Sequence, residues 1–524
     1  MDETWNSPLP WAPHQRGLAR WAARKWNWRP EDPDWPSALA LVSSAEDEGH
    51  TALDWTRAQE AWDRRWALTD PKPDFALPGP EHWPASLFSE GWMVRRETGG
   101  RTLVQTARNA ELERRLVNAL IPLVDPGAQP GRGQDEAVAR AGNTRLLFLA
   151  GGPGTGKTTT LKRLVARWTQ LKPSTRTVVA APTGRAAARA REAFAGSQAS
   201  PGCVTLHRLL GLRPGLGEPW HGPHRRLPFD LVIVDEASMV DLRTAVALVE
   251  ALGPGAALVL VGDPGQLPSV DSGAVLADLL GRPEFTPAVV RLTERYRLRQ
   301  DCRTLAQMFD LLEAPVTDPG AVVQQWRTWG NGSNPDFRWV EVDTDPGPAA
   351  LAAWGSVRGF GLADLGRRIL LSPVHQGPGG TEALGALADR ALGRAPGTVA
   401  EGLPWMIRRN LPHLDLSNGD RGLVLRREGK LVFVTPDEPD RFRPFGLVSE
   451  DGQPAWAVTV HKSQGSEFDK VVLVLPPNDS PNLVRELLYT GLTRAKKEAI
   501  LVGSATTLAR VLGRSANRVT GLGT

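Results

Sequence analysis

The sequence predicts an α/β protein built on parallel sheets wrapped by helices, and three observations predict it. Short apolar runs recur that are too brief for helices, among them LLFLA (Leu146–Ala150), TVVAA (Thr177–Ala181) and the LVIV within DLVIVDEASMVD (Asp230–Asp241). Each leads into a turn rich in Gly, Pro or Asp and then a stretch of helical periodicity, the alternation of a parallel sheet. The pattern weakens near residue 300 and begins again at RRILLSPVHQG (Arg367–Gly377). A chain of 524 residues is too long for one core. The expected division is an N-terminal unit over 1–118, a first α/β domain over 119–299 and a second over 300–524.

Composition narrows the class. Apolar residues make up 41% and charged residues 23%, the balance of a soluble globular protein. The formal charge of +4 is uneven: residues 1–100 carry 11 Lys/Arg against 16 Asp/Glu, and the remainder 51 against 42. A basic body with an acidic N-terminal segment fits a polyanion-binding machine with a docking module, although ordinary surface variation gives the same counts. Cys203 and Cys302 are the only cysteines, which argues against a disulfide framework, a zinc ribbon and an iron–sulfur cluster. The N-terminus lacks a basic and then apolar leader, and no run is long enough to span a bilayer, so the expectation is a cytoplasmic protein with no membrane partner.

The N-terminal unit is marked by tryptophan. Eleven of the 19 tryptophans lie between Trp5 and Trp92. Trp55, Trp62 and Trp66 recur at helical spacing and predict a small helical core. So many large aromatics in a Pro-broken acidic segment exceed what a small module buries, and aromatics are enriched at interfaces. The segment reads as a mainly helical partner-docking module.

GGPGTGKTTT (Gly151–Thr160) fits the phosphate-loop pattern, with an apolar strand before it and the helical LKRLVARW after it. Gly151, Gly152, Gly154 and Gly156 let successive N–H groups converge on one anion, and the following helix adds its N-terminal donors. Pro153, Thr155 and Thr159 complete the cradle. Lys157 would reach the β- and γ-phosphates, and the Thr158 hydroxyl would hold Mg²⁺. Upstream, Gln134 either pairs with an adenine edge or is a solvated helix residue.

Taking the strands in order, TVVAA ends in PTGR, which offers Pro182, Thr183, Gly184 and Arg185 at the carboxyl edge of the sheet. TLHRLLG follows with His207, and then a Gly/Pro-rich excursion over about 208–228 that reads as a hairpin or loop. Asp235 and Glu236 end the next strand, Asp235 placed for the Mg²⁺ shell and Glu236 to polarise a water. Gln266, beyond ALVLVGD, can sense a γ-phosphate. Tyr296 can stack on adenine and Arg297 reach the γ-phosphate. Residues 301–365 read as an inter-domain connection. In the second α/β pattern, NGD and GLVLRREGKLVFV predict a small β-rich insertion over about 419–453. LLYTGLTRAKK then carries Arg494, which can act across a cleft as an arginine finger.

These motifs stand in the order found in superfamily 1 helicases. GGPGTGKTTT, APTGRAA, TLHRLLG, VDEASMVD, GDPGQLPSV, ERYR, NGDRG, TVHKSQGSEFD and LLYTGLTRAKK together resemble the RecD family of bacterial exodeoxyribonuclease V (RecBCD) complexes. The resemblance covers about Gln134 to Gly503. It implies two RecA-like motor domains with ATP and Mg²⁺ between them, a small β-barrel insertion in the second, and single-stranded DNA across the top, moved with 5′→3′ polarity. Lys157, Asp235, Glu236, Gln266, Arg297 and Arg494 match catalytic positions, and Gly465 matches a nucleotide-side position. Pro182, Thr183, Gly184, Arg185, His207, Thr459 and His461 match positions near the DNA backbone. The family implies work at duplex ends in repair and recombination, with RecB-like and RecC-like subunits docked through the N-terminal unit. No nuclease motif is visible, so nuclease activity belongs to a partner. The phosphate loop sits only about 150 residues in, which fits the complex-forming members better than the longer stand-alone ones. The alternatives are a stand-alone DNA or RNA helicase and an ATP-gated clamp without turnover.

Overall fold

The computed structural model describes residues 11–65, 77–197, 200–212, 218–296, 302–332, 334–480, 482–516 and 518–523. Four sheets organise them.

The N-terminal unit packs helices Pro13–Lys25 and Trp35–Asp47 beside a three-stranded antiparallel sheet of β1 (Leu53–Asp54), β2 (Met93–Thr98) and β3 (Arg101–Thr106), ordered β1-β3-β2. The two helices start from N-terminal prolines, whose fixed φ suits a first turn. Trp11, Trp35, Trp62 and Trp83 are buried at the centre with the alanines and leucines of Trp35–Asp47. Trp66 lies outside the described residues. Helix Ala107–Leu120 then crosses the expected boundary at 118, because its Leu116 and Leu120 enter the core of the next domain.

The first α/β domain holds seven parallel strands: β4 (Gly131–Arg132), β5 (Leu146–Gly151), β6 (Thr177–Ala181), β7 (Gly202–Thr205), β8 (Leu231–Val234), β9 (Ala257–Gly262) and β10 (Val289–Leu292). Their order is β4-β10-β5-β9-β8-β6-β7. Strands β5, β8 and β9 are buried at every residue, as a sheet covered on both faces requires. The parallel register brings the carboxyl ends of β5, β6, β8, β9 and β10 to one edge, and every motif of the domain sits there.

The second α/β domain has β11 (Phe337–Val340), β12 (Arg368–Ser372), β18 (Ala457–Thr459), β19 (Phe468–Val474) and β20 (Ala495–Val502), parallel and ordered β11-β20-β19-β12-β18. The described residues of 301–365 are part of it and not a connection: they supply helices Arg303–Glu313 and Pro319–Asn331, edge strand β11, and the core residues Trp326, Phe337 and Trp339. A four-residue strand between Gly- and Pro-rich turns leaves too short a period to read.

Between β12 and β18 lies the antiparallel sheet of β13 (Pro404–Ile407), β14 (Arg421–Arg427), β15 (Lys430–Thr435), β16 (Glu438–Pro444) and β17 (Gly452–Pro454), ordered β16-β15-β14-β13-β17. It is wider than the expected 419–453, since β13 precedes that span and β17 runs one residue past it. Strand β13 is buried throughout and shows no alternation. The excursion after helix Leu206–Leu210 forms a tight turn bridged between Gly222 and Arg225, and 213–217 lie outside the described residues.

Among the described residues, no helix is long and apolar enough to cross a membrane.

Candidate nucleotide and nucleic-acid site

Local rules build the phosphate loop. Gly154 and Gly156 take φ of +73° and +82°, where a side chain would strain the backbone, and helix Lys157–Leu171 begins directly after them. Thr155 donates from its hydroxyl to the Gly152 carbonyl at 2.9 Å and closes the turn. Lys157 Nζ donates to the Gly151 and Gly152 carbonyls at 2.6 and 2.9 Å. Its ammonium is thereby held at the mouth of the loop. Pro153 is half-buried, and Thr158 and Thr159 are exposed at the helix start.

Gln134 and Tyr296 meet over Gly156. A Cβ there would stand 2.3 Å from Gln134 Nε2 and 3.7 Å from the Tyr296 ring. Gln134 Nε2 donates to the Thr155 carbonyl at 3.3 Å, and the Tyr296 N–H to the Gly154 carbonyl at 2.9 Å. Gln134 thus rests on the loop, with its amide oxygen accepting from Arg163 Nη1 at 3.4 Å. Tyr296 is 55% exposed beside the loop.

Asp235 and Glu236 follow β8. Burial, with the Glu236 charge adding to it, pushes the Asp235 carboxyl up to about 6, while Lys157 and Arg189 pull it down. Glu236 has φ +54°, a left-handed conformation that costs a non-glycine residue about 1 kcal/mol. The Asp235 N–H on the Ala180 carbonyl and the Glu236 N–H on Asp235 Oδ1, each at 2.9 Å, hold it. Strain of this kind gathers at functional sites. Gln266 is buried and donates from Nε2 to Asp263 Oδ2 at 3.1 Å.

The second domain presents the turns before β19 and β20 to this edge. Arg494 is 3% exposed, with Nε donating to the Thr490 carbonyl at 2.9 Å and Nη1 to that of Ser466 at 3.4 Å. Burial lowers its pKa, and the charges that oppose this are led by Glu236, with Asp263 also contributing. Arg494 is thus brought to the first domain's carboxylates. Gly465 packs on Ala186 and Thr183. Leu267 N donates to Thr490 Oγ1 at 2.9 Å and Gln464 Nε2 to the Leu267 carbonyl at 3.5 Å, so the seam continues past Gln266. Arg297 lies outside the described residues.

The residues read as nucleic-acid contacts line the adjoining edge. Pro182 and Thr183 follow β6, and Thr183 caps helix Gly184–Phe194 by accepting from the Ala186 N–H at 3.2 Å. Gly184 is pressed on the loop between β13 and β14: a Cβ would lie 2.3 Å from Ser417 Oγ. Arg185 is half-buried over the Phe468 ring at 6.0 Å, and burial lowers its pKa. Across the same ring lies buried Arg421, pushed down to about 9 by desolvation and then by Arg185. His207 is exposed on its helix. Thr459 ends β18 in register with Ser372, and His461 begins the next turn with its pKa lowered by burial and then by Arg518 and His375.

Sequence reasoning missed Arg295 and Glu313 as site residues. Arg295 Nη2 pairs with Glu313 and with Asp310, and Glu313 also meets Tyr489 beside Gly152. No motif spacing marks Glu313, which lies on helix Arg303–Glu313 and reaches the loop only through the fold.

The donor set fits a nucleoside triphosphate: loop N–H groups, Lys157 at the mouth, a ring and an amide over Gly156, and a buried carboxylate facing Lys157. Residues 134–272 match the AAA domain family, and residues 454–502 match the UvrD-like helicase C-terminal domain. A phosphate loop on one parallel sheet, with an arginine brought to its carboxylates by a second, defines the class as an ATP-hydrolysing superfamily 1 helicase. The chain is 35% identical over 496 residues to the RecBCD enzyme subunit RecD of Mycolicibacterium smegmatis, covering 86% of this chain and 87% of that one. It is 36% identical to the RecBCD enzyme subunit RecD of Mycobacterium tuberculosis strain H37Rv, covering 72% and 70%. Among solved structures, a Bacteroides Pif1 helicase in complex with ADP-AlF3 and single-stranded DNA aligns at a TM-score of 0.40 and 19% identity, over 70% of this chain and 91% of that one. The chain belongs to the RecD family.

Proposed function

We propose that the chain is the ATP-driven DNA helicase motor of an exodeoxyribonuclease V-type complex, moving 5′→3′ along single-stranded DNA from duplex ends in break repair and recombination. One observation carries the reading: Thr490 and Gln464 of the second domain bond Leu267 of the first, next to Gln266, so that a nucleotide on the phosphate loop would feel how the two sheets close. Lys157 and the loop N–H groups bind the triphosphate, and Gln134 and Tyr296 orient its base. Thr158 and Asp235 would hold Mg²⁺, and a bound ion would supply positive charge beside the phosphates. Glu236 polarises the water, Gln266 senses the γ-phosphate, and Arg297 and Arg494 stabilise the transferring group. Pro182, Thr183, Gly184, Arg185, His207, Thr459 and His461 form the DNA track. The antiparallel sheet over β13–β17 is the family's β-barrel insertion, and its contact at Gly184 ties the track to the second domain.

The N-terminal unit docks RecB-like and RecC-like subunits. Trp21 and Trp92 are 41% and 44% exposed, with ring centroids 4.9 Å apart, and Trp26 lies edge-on to both. Lys25 Nζ lies 4.1 Å from the Trp92 centroid. A partly open group of tryptophans has the aromatic enrichment of an interface.

The test is ATP turnover with and without single-stranded DNA, for the chain and for Lys157→Ala. DNA should stimulate the first and Lys157→Ala should abolish turnover while the fold persists. Equal turnover with and without DNA would remove the motor reading.

A further inference from the structure

The Tyr489 hydroxyl bonds two elements of the cleft and stands beside a third, the phosphate loop. Tyr489 stands on helix Arg485–Leu492 of the second domain, fully buried, its ring edge-on to Phe309 at 6.0 Å. The hydroxyl lies 3.0 Å from Asp263 Oδ2 and 3.1 Å from Glu313 Oε1. A phenol donates one proton and ionised carboxylates only accept, so the hydroxyl serves one of the two at a time. Burial keeps the phenol protonated, raising its pKa well above the usual value, and the two carboxylates add to the effect.

The two acceptors are unequally provided. Glu313 has a cationic donor in Arg295, whose guanidinium also stacks on Phe309 at 5.7 Å. Asp263 is held by neutral groups, the Gly265 N–H at 3.0 Å and the Gln266 amide at 3.1 Å. The cluster also leans on the phosphate loop, for a Cβ at Gly152 would lie 2.5 Å from Glu313 Oε1 and 3.1 Å from the Tyr489 hydroxyl. The hydroxyl therefore stands between two acceptors carried by different elements, with the loop beside it.

We propose that Tyr489 is a positioning residue of the ATP cycle: its hydroxyl bridges Asp263 to Glu313, and the choice between them couples the seating of the phosphate loop to the hold on Gln266. This rests on the helicase reading. With the proton on Asp263, that carboxylate is fixed and presents Gln266 to the cleft, while Arg295 keeps Glu313. With the proton on Glu313, the hold on Gln266 loosens. Without the hydroxyl, the buried Asp263 carboxylate and the more exposed Glu313 carboxylate face one another with nothing between them.

Tyr489→Phe keeps the ring and its packing on Phe309. On the full chain with saturating single-stranded DNA, it should lower kcat about tenfold, the scale of one hydrogen bond to a charged group, and leave KM for ATP within about twofold. Glu313→Gln in the Tyr489→Phe background removes the facing charge and should restore most of the kcat. The same pattern should appear in thermal melting without nucleotide, lower for the single variant and recovered in the double. Wild-type kcat in Tyr489→Phe, or a double variant no better than the single in both readouts, would overturn the bridge. A wild-type chain without DNA-stimulated turnover would instead sink the helicase reading, and the melting pattern then decides the bridge alone.

Discussion

Arg189 Nη1 donates to the Gly465 carbonyl at 2.9 Å, and its Nη2 pairs with Glu467 at 3.3 Å. The contact joins the helix after the Pro-Thr-Gly turn of the first domain to the turn before β19 in the second. Ser466, between the two partners, is where Arg494 Nη1 rests. Arg189 also counters the buried Asp235 charge. One arginine therefore steadies both halves of the site.

Arg189→Ala should lower DNA-stimulated kcat roughly fivefold, about 1 kcal/mol, because the pair is partly open to solvent and screened. The binding of ATP itself should barely change, since Lys157 and the loop are untouched. Steady-state turnover against DNA concentration checks this, and an unchanged kcat would make the contact incidental.

Arg494→Ala should cost at least about a thousandfold in turnover, the range of arginine fingers, with nucleotide affinity retained. Arg494→Lys should not restore it. Three separate guanidinium nitrogens reach Thr490, Ser466 and Thr493, and a single ammonium cannot reproduce that fork. Nucleotide titration beside turnover separates the two effects.

The phosphate loop was legible because its information is local: Gly154 and Gly156 at positive φ and the helix at Lys157 are all dictated within ten residues. Asp235 and Gln266 were legible by the same route, each just beyond a buried strand. Glu313, Arg295 and Arg189 were not, since their partners lie in another domain or across an irregular stretch. The fold shows the same limit. Strands β14 and β15 could be read from their apolar runs on either side of the Glu428–Gly429 turn, but β13 and the three-residue β17 pair through contacts no such run records. The tryptophans divide on this line too: Trp62 could be placed in a core from helical spacing, but nothing in spacing distinguishes exposed Trp21 from buried Trp35.

Trp21→Ala with Trp92→Ala should weaken binding of RecB-like and RecC-like subunits by about 2 kcal/mol or more and leave ATP turnover within twofold or so. Trp62→Ala, at 0% exposure, should instead destabilise the N-terminal unit by about 3–5 kcal/mol. Co-purification beside thermal melting checks both. Equal losses of binding and stability in the Trp21/Trp92 variant would make that pair structural.

Asp278 gives a pH signature to the seam between the N-terminal unit, the first domain and the returning C-terminal segment. Thr520 Oγ1 donates to Asp278 Oδ2 at 2.8 Å, Gly521 N donates to buried Glu113 at 3.0 Å, and Thr51 N donates to the Val519 carbonyl at 3.1 Å. Burial pushes the Asp278 carboxyl up to about 7, with Glu113 adding to it and Thr520 and Arg518 opposing it. Below the ordinary value of 3.8, both folded and unfolded chains carry the proton and the group contributes nothing. Between there and about 7, only the folded chain keeps it, so stability falls as pH rises. Above about 7 the penalty is constant. Asp278→Asn retains an acceptor for Thr520 and removes the charge. It should therefore stabilise the chain by about 1–2 kcal/mol near pH 8, discounted from the full shift because the side chain is only half-buried, and by almost nothing near pH 4. Glu113, whose pKa burial also raises, keeps a slope of the same sign in the variant. Melting of both chains across this range is the check: a gain that stays constant with pH would assign the effect to packing, and a gain that grows towards acid would reverse the sign argued for Asp278.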